Sequence, residues 1–135
     1  MHRFVIAIQS ASPLRPLEIG KLIAATRPRA RACGVTGMMT GGGACYYQVL
    51  EGPQDVLTGM LEQLHADGRF ASVRVISSRP AKARAFDMLN VVYANPAYLA
   101  PAVRTSFAVL AGAGSEAQQA QAAEAFVATH AQAAA

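Results

Sequence analysis

The fold of this chain is decided by residues 34–53, which read GVTGMMTGGGACYYQVLEGP. Apolar residues on both sides of glycines 41–43 predict two strands joined by a hairpin whose turn lies at those glycines. A phosphate-binding loop is not indicated, because no lysine follows the glycines and the next element is a strand. Gly52-Pro53 predicts the start of a helix, since proline is tolerated in a first helical turn.

The sequence on either side of this stretch supplies further elements. Residues 4–8 predict a buried strand, and a helical apolar pattern starts at Leu17. We expect Pro28 to end or kink that helix near residue 26 or 27. The helix after Pro53 ends at Asp67-Gly68, and strands follow near 73–76 and 89–92. The order βαββαββ predicts an α+β protein with a mixed sheet and helices on one face.

The composition changes after Asn95-Pro96, which divides the chain into a core domain, 1–95, and a C-terminal helical extension, 96–135. Ser115 and Gln118 have the spacing of a capping box for a last helix. That helix is rich in alanine and has few bulky residues, so it needs docking to be stable. We expect the extension to pack on the core.

The overall composition excludes several classes of protein. With 53% hydrophobic and 15% charged residues, the chain is not intrinsically disordered. No apolar run approaches the ~20 residues of a membrane span, and the N-terminus lacks the layout of a signal peptide. Cys33 and Cys45 lack a CxxC or zinc spacing. These features predict a cytoplasmic protein with two reduced thiols and no membrane partner.

The net charge of +4 is modest. Six of the basic residues form two short clusters in the sequence. These clusters are Arg27, Arg29 and Arg31, and Arg79, Lys82 and Arg84. The first is interpreted as a solvated helix end, where cations suit the helix dipole. Without a recognition motif the clusters do not predict nucleic-acid binding. An anion-binding role for either cluster stays open.

Two motifs, residues 34–39 and 47–53, together with Asp67-Gly68-Arg69, resemble the signature of BLUF domains, the flavin-based blue-light sensors. The resemblance covers roughly residues 3–95. It implies a ferredoxin-like βαββαββ sheet that carries two helices on one face, with FAD bound between those helices. It also implies self-association, so we expect a homo-oligomer.

In that family a tyrosine, a glutamine and an asparagine surround the flavin. The resemblance places Gln48 at the glutamine, and Asp67 and Arg69 near the cofactor. Ile8 and Ala30 stand at the tyrosine and asparagine positions. Isoleucine gives neither an electron nor a hydrogen bond, and alanine offers no polar partner. Each absent hydrogen bond costs about 1–3 kcal/mol if it leaves a polar atom of the flavin unpaired, so we predict impaired or lost flavin photochemistry.

Several of these residues have a structural interpretation as well. Gln48 is either a retained flavin ligand or a strand glutamine that bonds to helix backbone. Tyr46 is either a substitute electron donor or a core aromatic with a satisfied hydroxyl. Asp67 and Arg69 either contact the cofactor or close a helix and turn. Glu51 is interpreted as a surface or helix-start charge.

Three functions follow from these observations. The leading hypothesis is a single-domain sensory or regulatory protein that is not an enzyme and signals through contacts with an unknown protein partner. The alternative is a working FAD-dependent blue-light receptor with a modified site. A third hypothesis is a small enzyme of the acylphosphatase kind, although the chain lacks that chemistry's phosphate loop followed by an arginine.

Overall fold

The computed structural model describes residues 1–42, 45–91, 115, 117–118, 121–125 and 127–128. Within them the element order is βαββαββ, as predicted. The elements are β1 His2–Ser10, α1 Pro16–Ala32, β2 Thr36–Gly42, β3 Cys45–Gly52, α2 Gln54–Ala66, β4 Phe70–Pro80 and β5 Leu89–Val91.

The described strands form one sheet in the order β4-β1-β3-β2-β5. Among the pairings of the described strands only β2–β5 is parallel, so the predicted mixed sheet is confirmed. Gly37 allows β2 to pass close to β3, because a Cβ at this residue would lie 1.9 Å from the carbonyl oxygen of Val49. Its φ of 157° is also one that side-chain-bearing residues rarely adopt.

The two faces of the sheet carry separate apolar clusters. Alternate residues of β1, such as Ile6 and Ile8, face α1 and α2. Val5, on the opposite face, packs in a cluster that includes Ala123 and Val127. An ion pair between Arg79 and Glu124 adds a polar contact between β4 and the C-terminal residues.

Helix α1 continues through Pro28 to Ala32, so proline does not end it near residue 26 or 27, and that form of the prediction is wrong. Proline leaves the carbonyl of Ala24 without its helical donor, but both residues are exposed and water can replace that bond. Beyond the proline, Ala30 is buried in the core. Tertiary packing of the last turn therefore outweighs the local preference to stop.

The other helix and strand boundaries agree with the predictions except at the hairpin turn. Strand β2 includes Gly41 and Gly42, so the hairpin is confirmed but the prediction that these two glycines lie in its turn is wrong; residues 43–44 lie outside the described part. Ser115 and Gln118 form the predicted capping box, each accepting a hydrogen bond from the other's backbone N–H. The expected boundary at residue 95 also lies outside the described residues.

None of the helices in the described part combines the length and apolar character that crossing a bilayer requires.

Candidate functional site

A cavity of about 210 Å³ lies between α1 and α2, above the centre of the sheet. Both helices and β3 supply its walls, and most of the wall residues are aliphatic. Its lining consists of Leu22, Ile23, Thr26, Gln48, Leu50, Met60, Gln63, Leu64 and Asp67. The cavity is therefore mostly apolar with a few polar groups, which is the usual composition of a small-molecule site.

Gln48 is the buried polar residue of this cavity. Its side chain is only 5% exposed, and its Oε1 atom accepts no hydrogen bond. The cross-strand neighbours of Gln48 are Ile6 on β1 and Met39 on β2, neither of which offers a donor. A buried acceptor without a partner costs about 1–3 kcal/mol. The oxygen is thus available to a donor that enters the cavity.

Ile8 lies beside Gln48 on the same face of the sheet and is 2% exposed. It pairs with Tyr46 across the strands, one step along from the Ile6–Gln48 pair. Diagonal neighbours of this kind are about 7–8 Å apart. Ile8 therefore fills space near the glutamine amide but offers it no polar group.

The hydroxyl of Tyr46 is engaged elsewhere. It accepts a hydrogen bond from the backbone N–H of Leu14 at 3.2 Å and lies 3.4 Å from the carbonyl oxygen of Leu14, to which it donates. The interpretation of Tyr46 as a core aromatic with a satisfied hydroxyl is confirmed. Tyr47 packs on the opposite face of the sheet, and burial raises the pKa of its phenol to about 12.

Asp67 and Arg69 form an ion pair at the end of α2. The guanidinium of Arg69 lies 2.6 Å from the Asp67 carboxylate, which also accepts a hydrogen bond from the backbone N–H of Arg69. These hydrogen bonds hold the pKa of Asp67 below its ordinary value. Asp67 lines the cavity between the helices, whereas Arg69 is not among its lining residues.

The structure thus brings together only part of the predicted site. Gln48 and Asp67 line the same cavity, and Ile8 lies in the core beside Gln48. Ala30 is buried but lines a different cavity, between the end of α1, the start of β2 and residues 84–89.

Glu51 is not a surface charge, and that interpretation is wrong. Its side chain is fully buried and accepts hydrogen bonds from the Arg3 guanidinium and the Ala85 backbone N–H, both at 2.9 Å. The partner Arg3 lies directly opposite Glu51 in the β1–β3 register. Opposite charges on two strands expected to pair were the sequence signal for this contact.

The chain matches a family of sensory proteins. The family model "Sensors of blue-light using FAD", BLUF, matches residues 1–91. The chain belongs to the BLUF family.

Solved structures with this fold include BlrB, described as a BLUF protein in its dark state. It has a TM-score of 0.72 and 22% identity, over 95% of this chain and 96% of BlrB. A bacterial light-regulated adenylyl cyclase matches with a TM-score of 0.71 and 14% identity, over 82% of this chain. BlrP1 of Klebsiella pneumoniae matches with a TM-score of 0.65 and 16% identity, over 80% of this chain.

The chain spans only 33% of the cyclase and 27% of BlrP1. None of the curated proteins matches its sequence.

Proposed function

We propose that this chain is a BLUF-family regulatory module that acts through contacts with another protein and whose flavin photochemistry is impaired or lost. The observation that carries the proposal is the buried, apolar Ile8 beside Gln48, at the position to which the resemblance assigns the family's tyrosine. Among the described residues, no tyrosine lines the cavity between the helices.

The cavity supports flavin binding in part. Gln48 would hold a polar edge of the ring, and the aliphatic residues of the two helices would cover its faces. Asp67, paired with Arg69, would lie at the end of α2, and Ile8 would pack beneath. Ala30, which lines the other cavity, supplies no polar group. The volume of about 210 Å³ is smaller than the ~300 Å³ at which ligand pockets usually begin. These residues therefore favour weak binding, and they do not fit the family's photochemistry.

One observation favours the alternative, a working FAD-dependent blue-light receptor. The unpaired Oε1 of Gln48 is a buried acceptor that a bound ligand would satisfy. For this function a donor other than Tyr46 is needed, because the Tyr46 hydroxyl is held by Leu14.

The output of the module is part of the same proposal. The cyclase is itself a light-regulated enzyme. We propose that this module instead acts through contacts with another, unknown protein and catalyses no reaction itself. We also expect a homo-oligomer in the cytoplasm, where the free thiols of Cys33 and Cys45 stay reduced.

The test is the absorption spectrum of the purified protein, with and without added FAD, in darkness and under blue light. We expect no reversible red shift of a flavin band. A Gln48→Leu variant is the control for binding, because it removes the polar group that would hold the ring. A bound flavin that shifts to the red and recovers in darkness would overturn the proposal in favour of the receptor.

A further inference from the structure

A second cavity, of about 310 Å³, lies at the end of α1. The end of α1, the start of β2 and residues 84–89 form its walls. It shares no lining residue with the cavity between the helices, and its volume reaches the range of small-molecule sites. We infer that it binds a small organic oxyanion, a phosphate or carboxylate attached to an apolar ring.

The fold brings both arginine clusters of the sequence to this cavity. Arg27 and Arg31 come from the first cluster, and Arg84 comes from the second, more than fifty residues along the chain. Asp87 is the one carboxylate among the lining residues, so two positive charges are left in excess. Neutralising the helix dipole explains a cation at the end of α1, but it does not explain why Arg84 converges on the same cavity.

Two of the guanidinium groups are already held in place. Arg84 donates to the Oγ1 atom of Thr36 and to the carbonyl oxygen of Gly34, both at 2.7 Å. Arg27 donates through Nε to the carbonyl oxygen of Leu89 at 3.2 Å. Each guanidinium has five N–H donors, so several remain for a ligand. Groups fixed before binding lose less entropy when an anion arrives.

The floor of the cavity explains why the ligand needs an apolar part. Ala30, Val35 and Leu89 line it and are buried, and Met88 lies at an exposed position on its wall. An inorganic ion would leave the exposed Met88 side chain in contact with water, whereas a ring would cover it. Arginine recognises phosphate and carboxylate alike, because both match its planar fork.

Isothermal titration calorimetry of the whole protein with phenyl phosphate and with benzoate tests the inference. Benzyl alcohol is the uncharged probe of similar shape. We expect saturable binding of at least one of the two anions at one per chain, with benzyl alcohol bound at least about tenfold more weakly. The two anions distinguish a phosphate from a carboxylate ligand.

Arg31→Gln is the main variant, because the side chain is exposed and its loss leaves the core intact. We expect its affinity for the bound anion to fall about tenfold, with Arg27→Gln showing a similar fall. Arg29→Gln is the matched control on the same helix, since Arg29 does not line the cavity. No saturable binding of either anion at millimolar concentration would overturn the inference. Equal binding of benzyl alcohol, or an equal loss in Arg29→Gln, would also overturn it.

Discussion

The guanidinium of Arg3 and the carboxylate of Glu51 meet at 2.9 Å inside the protein, with exposed fractions of 9% and 0%. The contact joins β1 to β3. Because Glu51 also accepts the backbone N–H of Ala85 at 2.9 Å, it fixes the segment after β4 against the sheet. That segment carries Arg84 and Asp87, so the buried ion pair positions one wall of the cavity at the end of α1.

Neutralising Glu51 should destabilise the fold strongly. Glu51→Gln leaves the buried Arg3 without its counter-charge, and breaking a buried ion pair costs about 3–5 kcal/mol. We expect a loss of about 3 kcal/mol in the free energy of unfolding, because glutamine still accepts one hydrogen bond. Urea denaturation followed by circular dichroism measures it.

Two comparisons distinguish the effect of breaking this ion pair from the general effect of removing a charge. Glu18→Gln alters an exposed pair with Arg15 and should change stability by less than about 0.5 kcal/mol. The double variant Arg3→Met/Glu51→Gln removes both charges, so it should lose less than the sum of the single variants. Additive losses would mean that the two side chains do not stabilise each other.

Local patterns predicted most of the fold, because the elements of a βαββαββ chain are specified by short-range periodicity and turn residues. Non-local contacts caused the errors. The continuation of α1 past Pro28 depends on the burial of Ala30. The burial of Glu51 depends on Arg3, 48 residues away. In the same way, Gln48 could be assigned to a site from its motif, but the unpaired state of its oxygen depends on three strands meeting around it.

A methyl group at Gly37 should disrupt the β2–β3 pairing. Its Cβ would lie 1.9 Å from the Val49 carbonyl oxygen, so backbone must move. We expect Gly37→Ala to lose about 3 kcal/mol, the upper end of the cost of a strained backbone. Gly20→Ala is the control, since nothing lies within 4 Å of its new methyl group in α1. That variant should gain about 0.5–1 kcal/mol, and thermal unfolding of both variants tests the contrast.

The ion pair of Asp67 and Arg69 should give a small, acid-sensitive contribution to stability. The hydrogen bonds from Arg69 lower the pKa of Asp67 in the folded protein below its ordinary value of 3.8. Folding therefore favours the ionised carboxylate, so the contribution is complete above pH 3.8 and is lost as the pH falls through the folded pKa. The Arg69 side chain is 43% exposed, so solvent screens the pair and limits its contribution to the free energy of unfolding to about 1 kcal/mol or less.

The measurement compares wild type with Arg69→Gln in urea at several pH values. The difference in the free energy of unfolding between the two proteins should be present at neutral pH. It should shrink at high salt, and it should also decrease below pH 3.8. A difference that grows on acidification would show that the pair does not act through the ionised carboxylate.

Replacing Gln48 by leucine should stabilise the protein in the absence of any ligand. The change removes a buried acceptor that has no partner and puts an apolar side chain next to Ile6 and Met39. We expect a gain of about 1 kcal/mol in the free energy of unfolding. Gln63→Leu, at an exposed position lining the same cavity, should change stability little. A loss of stability in Gln48→Leu would mean that the amide makes contacts the protein needs.

The sharpest test of the proposed function introduces the two polar residues that the resemblance assigns to positions 8 and 30. Ile8→Tyr places a phenol beside Gln48, and Ala30→Asn returns an amide to α1. If these two positions account for the impairment we propose, the double variant loaded with FAD should show a flavin band that shifts to the red under blue light and recovers in darkness. Both positions are buried, so added bulk is expected to cost about 1–3 kcal/mol. Ile8→Phe/Ala30→Asn is the matched control, because it has the same ring without the hydroxyl. A shift in the phenylalanine variant, or no shift in a folded, flavin-bound tyrosine variant, would show that Ile8 does not account for the difference.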